Sequence, residues 1–281
     1  MSDVSKAVLI TGCSTGIGRA TAEHLAATGW KVYATARRPE SIADLEGKVH
    51  ATQPLDVTNE ASMQAAVKQV EDAEGAVGVL VNNAGYSRSG AVETVPMEDV
   101  RRQFETNVFG LVRMCQLVLP GMRRQRYGRI VNLSSMGGRL TFPGGGFYHG
   151  TKYAVEAISD ALRFEVRGFG IDVVLIEPGL IKTEFGATVA KKMGEDDGDY
   201  AEFNKAVSEA TVGVYEGPMM RLGGGPETVA NKIEKALSAR RPKARYPVTA
   251  SARLALMQKA LLPDRGWDRA VGMQFPRPGK G

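Results

Sequence analysis

Near its start the chain sets out an order of local preferences that few folds accommodate. Positions 7–10 are a short apolar run, positions 11–18 read T-G-C-S-T-G-I-G, and a helix-compatible stretch follows to about Thr28. Strand, glycine loop, helix is the order a phosphate site requires. Glycines let the backbone turn tightly and approach a pyrophosphate, whose charge then faces free N–H groups at a helix N-terminus. Gly12, Ser14, Thr15, Gly16, Ile17 and Gly18 are therefore candidate nucleotide contacts. The spacing is G-x-x-x-G-x-G rather than G-x-G-x-x-G, and a glycine cluster by itself is also what a plain turn needs. Its place at the head of an alternating β/α chain favours the ligand site.

That alternation continues. Strands are expected at 31–36, up to Leu55-Asp56-Val57, at 77–81, 129–133, 171–176 and 244–248; helices at 40–46, 61–73, 97–124, 147–167, 226–239 and 252–262. The pattern predicts an α/β fold, a doubly wound parallel sheet of about seven strands with helices on both faces. A chain of 281 residues, 43% apolar and 24% charged, fits one large α/β domain. No repeat or linker divides it, so 1–281 is read as a single unit. Beyond Thr183 the register loosens. Residues 184–225 mix Phe185, Met193, Phe203, Val214, Tyr215, Met219 and Met220 with an acidic patch at 195–199, the composition of a substrate lid. Residues 250–281 form a C-terminal extension whose last part is either loose or packed on the lid. Its Trp267 and Phe275 lie in a stretch too short and mixed to favour contact with a membrane surface.

The net charge of +5 is spread among acids rather than concentrated, which argues against nucleic acid as a partner. Two cysteines, Cys13 and Cys115, imply a reducing compartment without a disulfide framework. His24, His50 and His149 are scattered and show no metal-ligand spacing. No window approaches the ~18 apolar residues of a membrane span, so no integral membrane segment is expected and the cytoplasm is the expected location.

The strand at 31–36 ends in Ala36-Arg37-Arg38. An acid there would bind a free ribose 2′-hydroxyl; the cation Arg37 suits a 2′-phosphate instead, although two arginines can also serve a helix start. Asp56, followed by Val57, is placed either to accept from an adenine amino group or to cap the helix that follows. N-N-A-G at 82–85, including Asn83 and Gly85, falls at the carboxyl edge where open parallel sheets bind ligands. Asn107 sits in an otherwise apolar helical stretch and needs partners, as a core amide or as the mark of a backbone kink that orders a water. Ser134 and Ser135 lie at the tip of the fifth strand. Tyr148 and Lys152, four residues apart on a helix, share a face. A neighbouring ammonium is expected to lower the phenol's pKa from its ordinary ~10 toward working pH, making Tyr148 a proton donor and acceptor for a carbonyl/alcohol pair.

Taken jointly, T-G-x-x-x-G-I-G at 11–18, L-D-V at 55–57, N-N-A-G at 82–85, Asn107, Ser134-Ser135, Y-x-x-x-K at 148–152 and P-G-x-x-x-T at 178–183 resemble the short-chain dehydrogenase/reductase family from Lys6 to Thr183. V-Y-A-T-A-R-R and A-R-Y-P-V are similar to the branch that includes 17β-hydroxysteroid and retinol dehydrogenases. The resemblance implies a Rossmann-like fold, and Ser135, thirteen residues before Tyr148, as the serine that holds the substrate oxygen. It also implies Tyr148 as proton carrier, Lys152 as its partner and ribose ligand, and Asn107 as holder of a water. Ile181 and Thr183 would fix the carboxamide. The expected cofactor is NADP(H), with NAD(H) as the second choice.

The expected reaction interconverts a secondary alcohol and a carbonyl on a lipophilic small molecule such as a steroid, retinoid or long-chain compound. A different class, a non-catalytic nucleotide sensor or scaffold, would have no need of Asn107, Ser135, Tyr148 and Lys152 together. A lyase or epimerase with a tightly held nicotinamide is a third reading. Helix 147–167 carries a second apolar stripe, and the resemblance implies a homodimer or homotetramer.

Overall fold

Short runs of β-branched and apolar residues, each closed by a polar or glycine-containing turn, build the sheet. The strands are Val8–Ile10 (β1), Val32–Ala36 (β2), Ala51–Pro54 (β3), Val79–Asn82 (β4), Gly128–Leu133 (β5), Ile171–Glu177 (β6) and Arg245–Pro247 (β7). Every pairing is parallel, in the order β3-β2-β1-β4-β5-β6-β7. β1, β4 and β5 are buried throughout, which is why β1 and the first three residues of β4 read as continuous apolar runs; β5 also buries Arg129 and Asn132. The computed structural model describes residues 4–183 and 198–273, together with 275, 277 and 278.

Helices Gly16–Ala27 (α1), Glu60–Glu74 (α2), Met97–Phe104 (α3), Gly110–Gln125 (α4), Gly146–Val166 (α5), Ala201–Glu216 (α6), Pro226–Ser238 (α7), Ala250–Leu261 (α8) and Asp264–Gly272 (α9) surround the sheet. One face is sealed by Ala22 and Leu25 of α1 with Val229, Ile233 and Ala236 of α7. The other is sealed by Met63 and Val67 of α2, Met114 and Val118 of α4, and Val155 of α5. The strand order changes direction between β1 and β4, and at such a switch point a crevice opens beyond the strands' carboxyl ends.

Four segments differ from the expectation. The stretch 40–46 is a 3₁₀ helix, Pro39–Leu45, because a proline at its start and its short length favour the tighter turn. The long helix at 97–124 is interrupted by a π-helical segment, Glu105–Phe109, that contains Asn107. Within the lid region, Ala201–Glu216 is regular helix rather than irregular chain; residues 184–197, with most of the acidic patch, lie outside the described residues. Finally, the described part of the tail is ordered as a helix at Asp264–Gly272. α9 turns Trp267 and Val271 inward onto Leu140 and the half-buried Phe142, and the Trp267 indole donates to the Thr141 carbonyl at 3.2 Å. Among the described residues no helix is long and apolar enough to cross a membrane.

Candidate active site

The glycine loop joins β1 to α1 and is braced from β4. Gly12 and Gly16 hold φ of +74° and +59°. A Cβ on Gly18 would fall 2.2 Å from the Gly12 carbonyl oxygen and 2.3 Å from the Asn83 amide nitrogen. Asn83 donates to the Thr11 and Gly12 carbonyls at 2.9 Å each, and the Thr11 hydroxyl accepts from the backbone of Asn83 and Ala84. The Asn83 side-chain nitrogen is thus spent on shaping the loop. Thr15, at the N-cap of α1, makes no side-chain cap, and the first turn carries no acid. The positive helix end is left without an internal counter-charge, the condition an anion needs. Thr183 faces Gly16 across this loop, its methyl 3.5 Å from where a Gly16 Cβ would stand. Buried Ile181 is held by a bridge to Gly224.

Arg37 is exposed at the tip of β2. Its charge reaches toward Tyr86, whose phenol is pushed up chiefly by burial while Arg102 and Arg37 oppose the rise. Asp56 accepts from the backbone and hydroxyl of Thr58 at 2.9 and 2.8 Å, whereas Asn59 caps α2 by accepting from Ser62 N. Of the two readings of Asp56, the helix cap therefore belongs to its neighbour. Buried Val57 lies directly beneath α4, where a Gly110 Cβ would come within 2.4 Å of its carbonyl oxygen.

Beside the loop, β5 delivers Ser134 and Ser135. Ser134 is buried and turned toward Glu156 and Gly138. Ser135 is the one that hydrogen-bonds the Tyr148 phenol. Its Oγ accepts from Gly137 N at 3.1 Å and lies 3.5 Å from the Pro178 carbonyl, so the P-G segment after β6 fixes its position. Lys152 is buried one turn after Tyr148, its Nζ 5.8 Å from the centroid of that ring. The ammonium donates to the Leu133 carbonyl at 2.7 Å.

The electrostatics differ from the expected effect of a cation on a phenol. Burial raises the Tyr148 phenol, opposed by the Ser135 hydrogen bond and reinforced by the nearby Tyr215 phenol. Burial also lowers Lys152 to about 8, opposed by Glu156. Desolvation disfavours the charged form of each.

Asn107 is fully satisfied. Its Oδ1 accepts from Tyr86 N at 3.0 Å, and its Nδ2 donates to the Tyr86 carbonyl at 2.8 Å and to the Thr151 hydroxyl at 3.1 Å. The side chain ties the chain after Gly85 to α5, while the π-helical turn around it supplies the kink in the backbone.

Three neighbours were not singled out by sequence. Tyr215, on α6, lies near enough to help raise the Tyr148 phenol. Glu156 and Glu177 form a buried acid pair behind Lys152. Glu156 pairs with Arg245 at 2.9 Å; Glu177 lies 3.4 Å from Arg245 and 3.6 Å from Arg139. Glu156 stands one turn beyond Lys152 in sequence, which was a usable signal; Glu177 had none.

A sheet of this order, with a glycine loop at its switch point and a serine, a tyrosine and a lysine gathered beyond its carboxyl edge, defines a nucleotide-dependent oxidoreductase fold. The short chain dehydrogenase family model matches residues 6–194, and the chain belongs to that family. It is 44% identical over 198 residues to a 3-ketodihydrosphingosine reductase of Bacteroides thetaiotaomicron, covering 69% of this chain and 71% of that one. To an NADPH-dependent 3-dehydrocapnine reductase of Ornithobacterium rhinotracheale it is 38% identical over 276 residues, covering 93% and 94%. Among solved structures, a short-chain dehydrogenase from Streptomyces avermitilis superposes with a TM-score of 0.81 at 34% identity over 98% and 97% of the two chains.

Proposed function

We propose that this oxidoreductase uses NADPH to reduce a lipophilic ketone to a secondary alcohol. The observation that carries the reading is the hydrogen-bonded Ser135–Tyr148 pair at the open edge of the sheet, with Lys152 buried behind it. The uncapped, acid-free N-terminus of α1 fits a dinucleotide pyrophosphate, and Gly12 and Gly18 let the loop before it close tightly onto Asn83. Arg37 would meet a 2′-phosphate, Asp56 and Val57 would border the adenine, and Asn83 and Gly85 would line the floor. Ile181 and Thr183 would hold the carboxamide, and Lys152 the ribose hydroxyls. When bound, the nicotinamide supplies the hydride.

As negative charge develops on the substrate oxygen, Ser135 and Tyr148 donate to it from fixed positions, which stabilises the transition state. Tyr148 then yields its proton to that oxygen. A phenol held in its neutral form by burial is in the correct state to donate. Lys152 keeps the resulting phenolate near a cation, and Asn107 holds the turn on which a water reaching Lys152 would rest.

The named relatives reduce a 3-keto or 3-dehydro compound, which favours a long-chain 3-oxo substrate over a steroid or retinoid. Absorbance of NADPH, then NADH, against long-chain 3-oxo amines, steroid ketones and retinal tests this directly. Oxidation confined to NADPH and one chemical class supports the reading. Binding without oxidation across the panel, with Tyr148→Phe indistinguishable from the parent, would favour a nucleotide sensor. In the reductase, Tyr148→Phe is expected to lower turnover about 10²–10⁴-fold, with NADPH affinity by fluorescence largely retained.

A further inference from the structure

We propose that α8 and α9 form a docking face for an anionic lipid surface at the rim of the active site. α8 begins inside the protein. Thr249 caps it, and the Ser251 hydroxyl accepts from Leu180 N at 3.1 Å, within the segment that follows β6. Its inward side, Ala252, Ala255 and Leu256, packs toward the cluster formed by Leu140, Trp267 and Val271. A helix covering a protein surface should be polar on the opposite side.

α8 is not. Leu254, Met257 and Leu261 recur there at i, i+3 and i+7, with Met257 55% and Leu261 76% exposed. Leu262 after α8 and Met273 after α9 are exposed as well, the latter 84%, and so is Met219, in the segment Pro218–Leu222 that contacts α8. α8 thus starts against the segment after β6 that carries Ile181 and Thr183.

The balance of charge selects the occupant. Arg253 on α8 and Arg265 and Arg269 on α9 are exposed and, among the described residues, form no ion pair; they outnumber the exposed acids Asp264 and Asp268, of which Asp264 is already paired. The other cation, Lys259, is paired with Asp264. A second copy docking through the same face by two-fold symmetry would set arginines against arginines. A bilayer surface with anionic headgroups neutralises them while its acyl region accepts Met257 and Leu261. Trp267 takes no part, since it faces inward.

The full chain is sedimented with vesicles of phosphatidylcholine alone and of phosphatidylcholine mixed with phosphatidylglycerol, at low and high salt. The expected result is salt-sensitive partition onto the anionic vesicles. That partition should fall at least about tenfold in Met257→Glu/Leu261→Glu and in Arg265→Glu/Arg269→Glu, with far-UV circular dichroism unchanged. Absence of wild-type partition, or equal partition of both variants, overturns the proposal. So does a lower particle mass of Met257→Glu/Leu261→Glu by light scattering, which would assign the face to a second copy of the chain.

Discussion

At the scale of single residues, burial governs the chemistry as much as charge does. Glu177 shows it most clearly. It is fully buried, and its carboxyl is raised from 4.5 to about 7, first by burial and then by Glu156, against Arg139 and Arg245. The folded protein therefore retains a proton that the unfolded chain has already released. The resulting stability is complete below about pH 4.5 and is lost as pH rises through about 7, a change of about 3 kcal/mol. Urea denaturation between those limits should show wild-type stability falling with pH, and Glu177→Gln should flatten that slope. Arg37 has only its charge to offer at the tip of β2. Because it is exposed and caps no helix, Arg37→Asp is expected to shift coenzyme preference toward NADH, read as the ratio of kcat/KM values, with little effect on the melting temperature. An unchanged ratio would mean that a 2′-phosphate is read elsewhere.

Among the elements, the β1–loop–α1 unit has the narrowest tolerance. Gly18 leaves no room for a side chain between the Gly12 carbonyl and Asn83. Gly18→Ala should destabilise the fold by about 1–3 kcal/mol through overpacking and weaken NADPH binding at the same time, as calorimetry and fluorescence titration would report. α3 and α4 illustrate the opposite case. Periodicity alone reads them as one helix, since the π-helical turn at Glu105–Phe109 contains no proline or glycine to mark a break. The turn becomes visible only through what it holds, the Asn107 bonds to Tyr86 and Thr151. The helix at Ala201–Glu216 is hard to read from sequence for a related reason. Its only buried residues are Asn204 and Val207, so no apolar stripe marks it. Yet Asn204 accepts from Ala91 N at 2.9 Å, and Val207 packs over Gly144.

The whole molecule leaves one face of α5 incompletely covered. Phe164 is 86% exposed, with Tyr153 and Phe169 also exposed, while Ile158 is half-buried. A second copy is the expected cover. Phe164→Glu should reduce particle mass by light scattering while shifting stability by no more than about 0.5 kcal/mol; a wild-type monomer would overturn that expectation. By itself the sequence determined the alternating α/β order, the seven strands, the glycine loop and the spacing of Ser135, Tyr148 and Lys152. Each of these is written in local periodicity or in residue types with narrow uses. Tertiary structure alone decided that Asn83 braces the loop, that Tyr215 and the Glu156–Glu177 pair adjoin the site, and that desolvation raises the Tyr148 phenol. It also decided that Trp267 turns inward while Met257 and Leu261 turn outward. These outcomes depend on which distant segments meet and how much water they exclude, and neither is encoded in the spacing of neighbours along the chain.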